Sequence, residues 1–104
     1  MAIKNGMRPV HPGEVLSEEF LKPLGMTANG LAKALHLHAS RVNDIVLERR
    51  GVTADTAVRL AHYFGTTAEF WLKLQTAFDL RTTERSAETR RALSLIEPRE
   101  VKAA

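Results

Sequence analysis

Residues 31–45 read LAKALHLHASRVNDI, and their apolar positions predict two short helices joined by a tight turn. Apolar side chains recur in both halves at the 3.6-residue period of an amphipathic helix. They are Leu31, Ala32 and Leu35 in the first half, and Val42, Ile45 and Val46 in the second. Leu37 lies between the halves and is expected to fill the space between them with an apolar side chain. The small Ala32 allows the two helices to cross closely.

The second of these helices has a side with nothing apolar to bury. Ser40, Asn43 and Asp44 lie there, with Arg41 at its edge. Short hydrogen-bonding side chains on a helix that is braced by another helix suit base edges in the major groove of DNA. The pair therefore predicts a helix-turn-helix whose second helix reads DNA.

Length and composition fit one small domain and exclude several classes of function. The chain has 104 residues, 44% of them hydrophobic, and no cysteine, which excludes disulfides, thiolate zinc sites and cysteine nucleophiles. No apolar run approaches the ~20 residues that span a bilayer, and residues 1–13 lack the apolar core of a secretory signal. We therefore expect a cytoplasmic protein without membrane contact. The net charge of +3 and the pI of 9.7 slightly favour a polyanionic partner.

Helix boundaries can be placed along the rest of the chain. Pro12 suits the first position of helix one, and Thr27, Thr53 and Thr67 are predicted N-caps of helices two, four and five. Gly65 is predicted to end helix four. The result is an all-α, five-helix bundle at residues 11–80, similar in architecture to phage-repressor DNA-binding domains. We expect a flexible arm at residues 1–10 and a tail at residues 81–104, which an apolar stripe makes a candidate sixth helix.

Two further groups of residues bear on function. Arg49 and Arg50 precede Gly51, which suits the left-handed position after a helix end, and both arginines are predicted to contact phosphate. His36 and His38 lie in the predicted turn, but a third ligand is missing from the pattern, so we expect no metal. No glycine-rich phosphate loop and no nucleophile–base pair is evident, so we expect neither a cofactor nor an enzyme.

Several ordered blocks together resemble the HigA/VapI-type addiction-module antitoxins of the XRE helix-turn-helix group. They are HPGE at residues 11–14, the unit at residues 31–45, RGVTADTA at residues 50–57, AEFWLKLQ at residues 68–75 and DL at residues 79–80. The resemblance covers residues 6–80. His36 departs from it, because that turn position is commonly glycine, and Ala28 stands where a phosphate-contacting glutamine is common.

The resemblance implies a homodimer on double-stranded DNA with a palindromic operator, repression of the chain's own operon, and neutralisation of a RelE/HigB-like ribonuclease toxin. The residues assigned to DNA contact are His38, Ala39, Ser40, Arg41, Asn43, Asp44, Arg49 and Arg50. A solitary XRE-type regulator without a toxin is the alternative. A protein-interaction module stays open as well, because the Asp44 carboxylate repels phosphate unless Arg41 pairs with it or a cytosine amino group donates to it.

The dimer interface is predicted at helix five and the tail. One recognition helix reads too few base pairs to select an operator, and paired helices solve this with half-sites about 34 Å apart. Helix five offers an aromatic-rich stripe for this interface, formed by Phe70, Trp71, Leu74 and Phe78. The tail has an apolar stripe of Ala92, Leu93 and Ile96, which must pack against another surface to be buried.

Overall fold

The computed structural model describes residues 8–100, and these residues form six helices joined by short loops. Helix α1 is continuous over three segments, Pro12–Val15, a π-helical turn at Leu16–Leu21, and Lys22–Leu24. The others are α2 (Ala28–Ala34), α3 (Ala39–Val46), α4 (Ala54–Phe64), α5 (Ala68–Glu84) and α6 (Ala87–Leu95). The all-α, five-helix prediction is confirmed, and a sixth helix forms in the tail.

The helix starts follow from capping side chains. The hydroxyls of Thr27, Thr53 and Thr67 each accept the N–H of the residue three positions later, as predicted for α2, α4 and α5. At α1 the cap is His11, whose Nδ1 accepts the Gly13 N–H at 2.9 Å. Each cap satisfies a backbone donor that has no partner inside its own helix.

The core lies between α1, the α2–α3 pair and the α4–α5 pair. Its buried apolar side chains include Leu16, Leu31, Val42, Ile45, Leu60 and Trp71. Trp71 is 0% exposed, packs at 5.0 Å from the Phe20 ring, and donates its indole N–H to Thr66 at 2.9 Å. The prediction that Trp71 belongs to a dimer interface is therefore wrong, because the core of one chain covers the whole side chain.

Fewer of the apolar residues of α4 are buried than their spacing in the sequence suggests. Thr56, Ala57 and Leu60 are buried, whereas the apolar Val58 is 58% exposed. Val58 lines an open cleft together with Thr66 and Ala68, so its neighbours cover it only in part. Gly65 ends α4 in the left-handed conformation, as predicted.

Helix α1 approaches α3 so closely that only glycine fits at the contact. A Cβ on Gly13 would lie 1.9 Å from the carbonyl oxygen of Ile45. This contact fixes the C-terminal end of α3 against the first turn of α1. It explains the glycine of the HPGE block in terms of packing.

The two helices of the helix-turn-helix end alike, with a non-glycine residue in the left-handed conformation. His36 after α2 has φ +56°, and Glu48 after α3 has φ +62°. At α2 the Leu37 N–H then bonds to the Ala32 carbonyl, and at α3 the Arg49 N–H bonds to the Asp44 carbonyl, which is the Schellman arrangement.

The prediction that Gly51 occupies the left-handed position is wrong, because α3 ends earlier and Glu48 occupies that position. Gly51 is needed for a different reason. A Cβ there would lie 2.8 Å from the side chain of Gln75, whose Oε1 accepts the Val52 N–H at 2.7 Å. The glycine thus lets α5 tie down the loop before α4.

At the ends of the described chain, α5 runs to Glu84, past the predicted end of regular structure at residue 80. The aliphatic residues Leu93, Leu95 and Ile96 of the α6 region are exposed. The predicted arm falls largely outside the described residues, but Arg8 is held by the Glu14 carboxylate at 2.8 Å. Within residues 8–100 no helix has the length and hydropathy needed to cross a membrane.

Candidate nucleic-acid interface

Helix α3 presents the polar side that the sequence predicts. Val42 and Ile45 are buried in the core. On the other side His38, Ala39 and Ser40 are exposed, and Arg41, Asn43 and Asp44 are half-buried. The structure therefore brings the candidate base-reading residues together on one surface, and their individual roles stay predictions.

The side-chain amide of Asn43 is held by two hydrogen bonds. Its side-chain amide nitrogen donates to the Asn29 side-chain oxygen at 2.7 Å and to the Ala39 carbonyl at 2.9 Å. Asn29 belongs to α2, so the bond joins the two helices of the helix-turn-helix at their exposed edge. Asn43 is consequently held in one orientation before any DNA arrives.

Arg41 and the turn between α2 and α3 are both held from α4. The Asp55 carboxylate pairs with Arg41 at 3.2 Å and with Arg59 at 3.1 Å. Arg59 also donates to the carbonyl of Leu35 at 2.8 Å and to that of His36 at 3.1 Å. One arginine thus satisfies the free carbonyls at the end of α2 and, through Asp55, positions the recognition helix.

The sequence leaves open whether Asp44 pairs with Arg41. Arg41 pairs with Asp55 instead, and within residues 8–100 the Asp44 carboxylate has no ion-pair partner. A carboxylate without such a partner on this side disfavours a nearby phosphate and favours a cytosine amino group.

Arg49 and Arg50 are exposed in the loop after α3, and neither forms an ion pair with another residue of the part that the structure describes. The Arg49 backbone N–H is fixed on the Asp44 carbonyl at 2.7 Å. Arg50 and Arg41 both line a cleft of about 580 Å³ at the start of α4. Two uncompensated cations beside the recognition helix suit the phosphate role predicted for them.

Four residues of this surface are not predicted from the sequence. Asp55 and Arg59 stand four positions apart in α4, so their spacing could have revealed the pair, although not its link to Arg41. Asn29 and Gln75 act across 14 and 23 residues of sequence respectively, and local spacing gives no sign of such contacts. Among residues 8–100 no group of three or more His, Cys, Asp or Glu side chains is arranged to hold a metal.

The fold and this surface define the class of the protein. The family model described as "Helix-turn-helix" matches residues 18–71, which extend from α1 to the start of α5. That match covers half of the chain, and it includes α2, α3 and the turn between them. The chain belongs to this helix-turn-helix family.

Within that class, the chain is a member of the HigA/VapI-type antitoxin group of XRE proteins. It is 56% identical over 86 residues to virulence-associated protein I of Dichelobacter nodosus, covering 83% of this chain and 80% of that protein. The structure of antitoxin GraA in complex with its operator matches with a TM-score of 0.84 at 49% identity, covering 95% and 99% of the two chains. Pseudomonas aeruginosa antitoxin HigA with the higBA promoter matches with a TM-score of 0.82 at 46% identity, covering 88% and 98%.

Proposed function

We propose that this protein is a DNA-binding antitoxin that represses its own operon and neutralises a RelE/HigB-like toxin by direct binding. The observation that carries the proposal is the polar, pre-anchored side of α3 on a fold shared with antitoxins whose structures include operator DNA. We further infer that the protein acts by binding and not by catalysis, and that it acts in the cytoplasm.

The surface supports separate sets of residues for base contacts and for phosphate contacts. Helix α3 enters the major groove, where Ser40, Asn43 and Asp44 face base edges. Arg49 and Arg50 supply contacts to the backbone that carry no sequence information. Arg41 remains bridged to Asp55, so it stays at the edge of the groove with its guanidinium already partly compensated.

A second copy of the chain is proposed to complete the reading surface. The outward side of α5 carries a shallow apolar groove, and the aliphatic side chains of the α6 region are also exposed. The groove residues are Leu72, Thr76, Ala77 and Leu80, flanked by Glu69, Lys73 and Arg81. Helix-turn-helix dimers read half-sites about 34 Å apart, and burial of these surfaces between two copies is the pairing that we propose for this chain.

The DNA-binding part is tested by fluorescence anisotropy with the DNA upstream of the chain's own gene and with random DNA of equal length. Replacing Arg49 and Arg50 by Gln should weaken both and flatten the slope of log K against log salt by about 0.9 for each phosphate that is no longer contacted. Lys22 and Arg99, which are exposed and lie outside α3, α6 and the α5 groove, form the matched control, since Gln there changes the charge equally. An unchanged salt slope after the first replacement would contradict the phosphate assignment.

The toxin-binding part is tested on the reading frame beside the gene. If that frame encodes a small basic RelE-like protein, its growth arrest on expression should be relieved by this chain, and the two should elute together from a sizing column. Operator binding without relief of the arrest would support the alternative, a solitary XRE-type regulator.

A further inference from the structure

Both N–H donors of the Asn43 side-chain amide form hydrogen bonds within the protein. An Asn amide group carries two hydrogens, and both are engaged here, one with Asn29 at 2.7 Å and one with the Ala39 carbonyl at 2.9 Å. Only the side-chain oxygen of Asn43 remains for a partner outside the chain.

The orientation of this amide follows from its surroundings. The Ala39 carbonyl is an acceptor only, so the Asn43 group that faces it must be the nitrogen and not the oxygen. The second hydrogen of that nitrogen then requires an acceptor from Asn29, which turns the Asn29 oxygen inward and its own NH₂ group outward. One backbone carbonyl thus sets the direction of both amides.

The Asn43 oxygen is open to a ligand. No residue among those the structure describes donates to it, and this part of the chain contains no buried side-chain oxygen without a partner. Because the Asn43 oxygen has no donor within residues 8–100 and is not among the buried atoms, it is accessible to solvent, in keeping with the half-buried state of the residue. It lies on the same side of α3 as Ser40, the surface assigned to the major groove.

We propose that Asn43 is an acceptor-only specificity residue that recognises an amino group of cytosine or adenine, and that Asn29 is the positioning residue that enforces this polarity. The inference rests on the proposed DNA-binding function. The usual contact between Asn and adenine is bidentate, with an N–H donated to N7 and the oxygen accepting from N6. The two internal bonds remove the donor half of that contact, and guanine and thymine offer only acceptors in the major groove.

The experiment begins by locating the contacted base. Affinities of wild-type protein and Asn43→Ala are measured for operators in which each base pair is replaced in turn. The position where discrimination disappears in Asn43→Ala is the one that Asn43 contacts. Base analogues are then placed there: purine and 7-deazaadenine for adenine, or a pyrimidinone without the 4-amino group for cytosine.

Removing the amino group should weaken wild-type binding about fivefold, the effect of one hydrogen bond, and leave Asn43→Ala unaffected. Removing N7 with 7-deazaadenine should change nothing. An Asn43-dependent loss on removing N7, or guanine or thymine as the contacted base, would overturn the proposal. Failure of the wild-type protein to bind the upstream DNA at all would instead defeat the proposed function.

Two substitutions at Asn29 separate positioning from general affinity. Asn29→Ala frees one Asn43 hydrogen, so discrimination at the contacted base should relax while thermal stability changes little, since Asn29 is exposed. Asn29→Asp keeps the acceptor, so the base preference should persist although the added negative charge weakens binding to all DNA. Full discrimination in Asn29→Ala would refute the positioning role.

Discussion

His36→Gly should stabilise this protein, although it removes a side chain from the helix-turn-helix. His36 has φ +56°, and its conformation lets the Leu37 N–H bond to the Ala32 carbonyl at 2.9 Å. A non-glycine residue in the left-handed region costs about 1–2 kcal/mol, because its Cβ crowds the following carbonyl. Glycine removes this cost but adds about 0.5–1 kcal/mol of unfolded-state entropy.

The balance predicts a gain of about 0.5–1 kcal/mol in the free energy of unfolding, from the two opposed costs of left-handed strain and glycine flexibility. For a domain of this size about 1 kcal/mol corresponds to a rise of about 4–8 °C in Tm. The hydrogen bond from Arg59 to the residue 36 carbonyl is a main-chain contact and is retained. Thermal unfolding followed by circular dichroism measures the change.

His38→Gly is the matched control, because the same exchange occurs two residues later at φ −62°, where no left-handed strain exists. It should lower the free energy of unfolding by less than about 1 kcal/mol, because the preference for glycine at the N-cap that His38 occupies offsets part of the glycine entropy. If His36→Gly lowers Tm as much as His38→Gly does, left-handed strain is not the factor that governs this turn.

Gly13→Ala, which directs a Cβ to 1.9 Å from the Ile45 carbonyl oxygen, should destabilise the fold by about 1–3 kcal/mol or more and weaken operator binding. Gly30→Ala, whose Cβ would meet its nearest neighbour at 3.2 Å, is the control in urea unfolding, and equal effects would contradict the close-approach argument. Burial lowers the pKa of His11 against the opposing pull of nearby carboxylates, so stability should be complete above about pH 6.5 and fall as the pH drops towards the folded-state pKa. His11→Asn keeps an acceptor at the cap without titrating, and its unfolding free energy should lose this pH dependence. Removing residues from Ser86 onward should weaken dimerisation in sedimentation over a concentration series, and a truncated chain that dimerises as well as the full one would place the interface elsewhere.

Local signals in the sequence are enough for the helices and their order. Each threonine cap needs only a neighbour three residues away, and each buried side follows from the period of its apolar residues. The conformation predicted for Gly51 is wrong, because glycine can be required either by a left-handed φ or by a close approach of another group. A left-handed φ and a close approach look identical in a sequence, and only the position of Gln75 shows which demand applies.

Contacts between distant residues lie beyond that reasoning. The apolar stripe of α5 is correctly predicted to be helical, but no local pattern indicates how much of it the core covers. Trp71 is enclosed because Phe20 of α1 packs against its ring and Thr66 accepts its indole N–H, which depends on how α1 packs. The Arg41–Asp55 pair escapes prediction for the same reason, since 14 residues separate its members.

The recognition helix is positioned by three neighbours: α1 through Gly13, α2 through Asn29, and α4 through Asp55. None of these residues needs to touch a base to influence recognition. Displacing α3 at its C-terminal end would move the loop with Arg49 and Arg50 relative to Asn43, so phosphate and base contacts could no longer form in register. Specificity in this fold therefore depends on rigid attachment of α3 as much as on its exposed side chains, because a side chain misplaced by about 1 Å loses hydrogen-bond geometry that tolerates only a few tenths of an ångström.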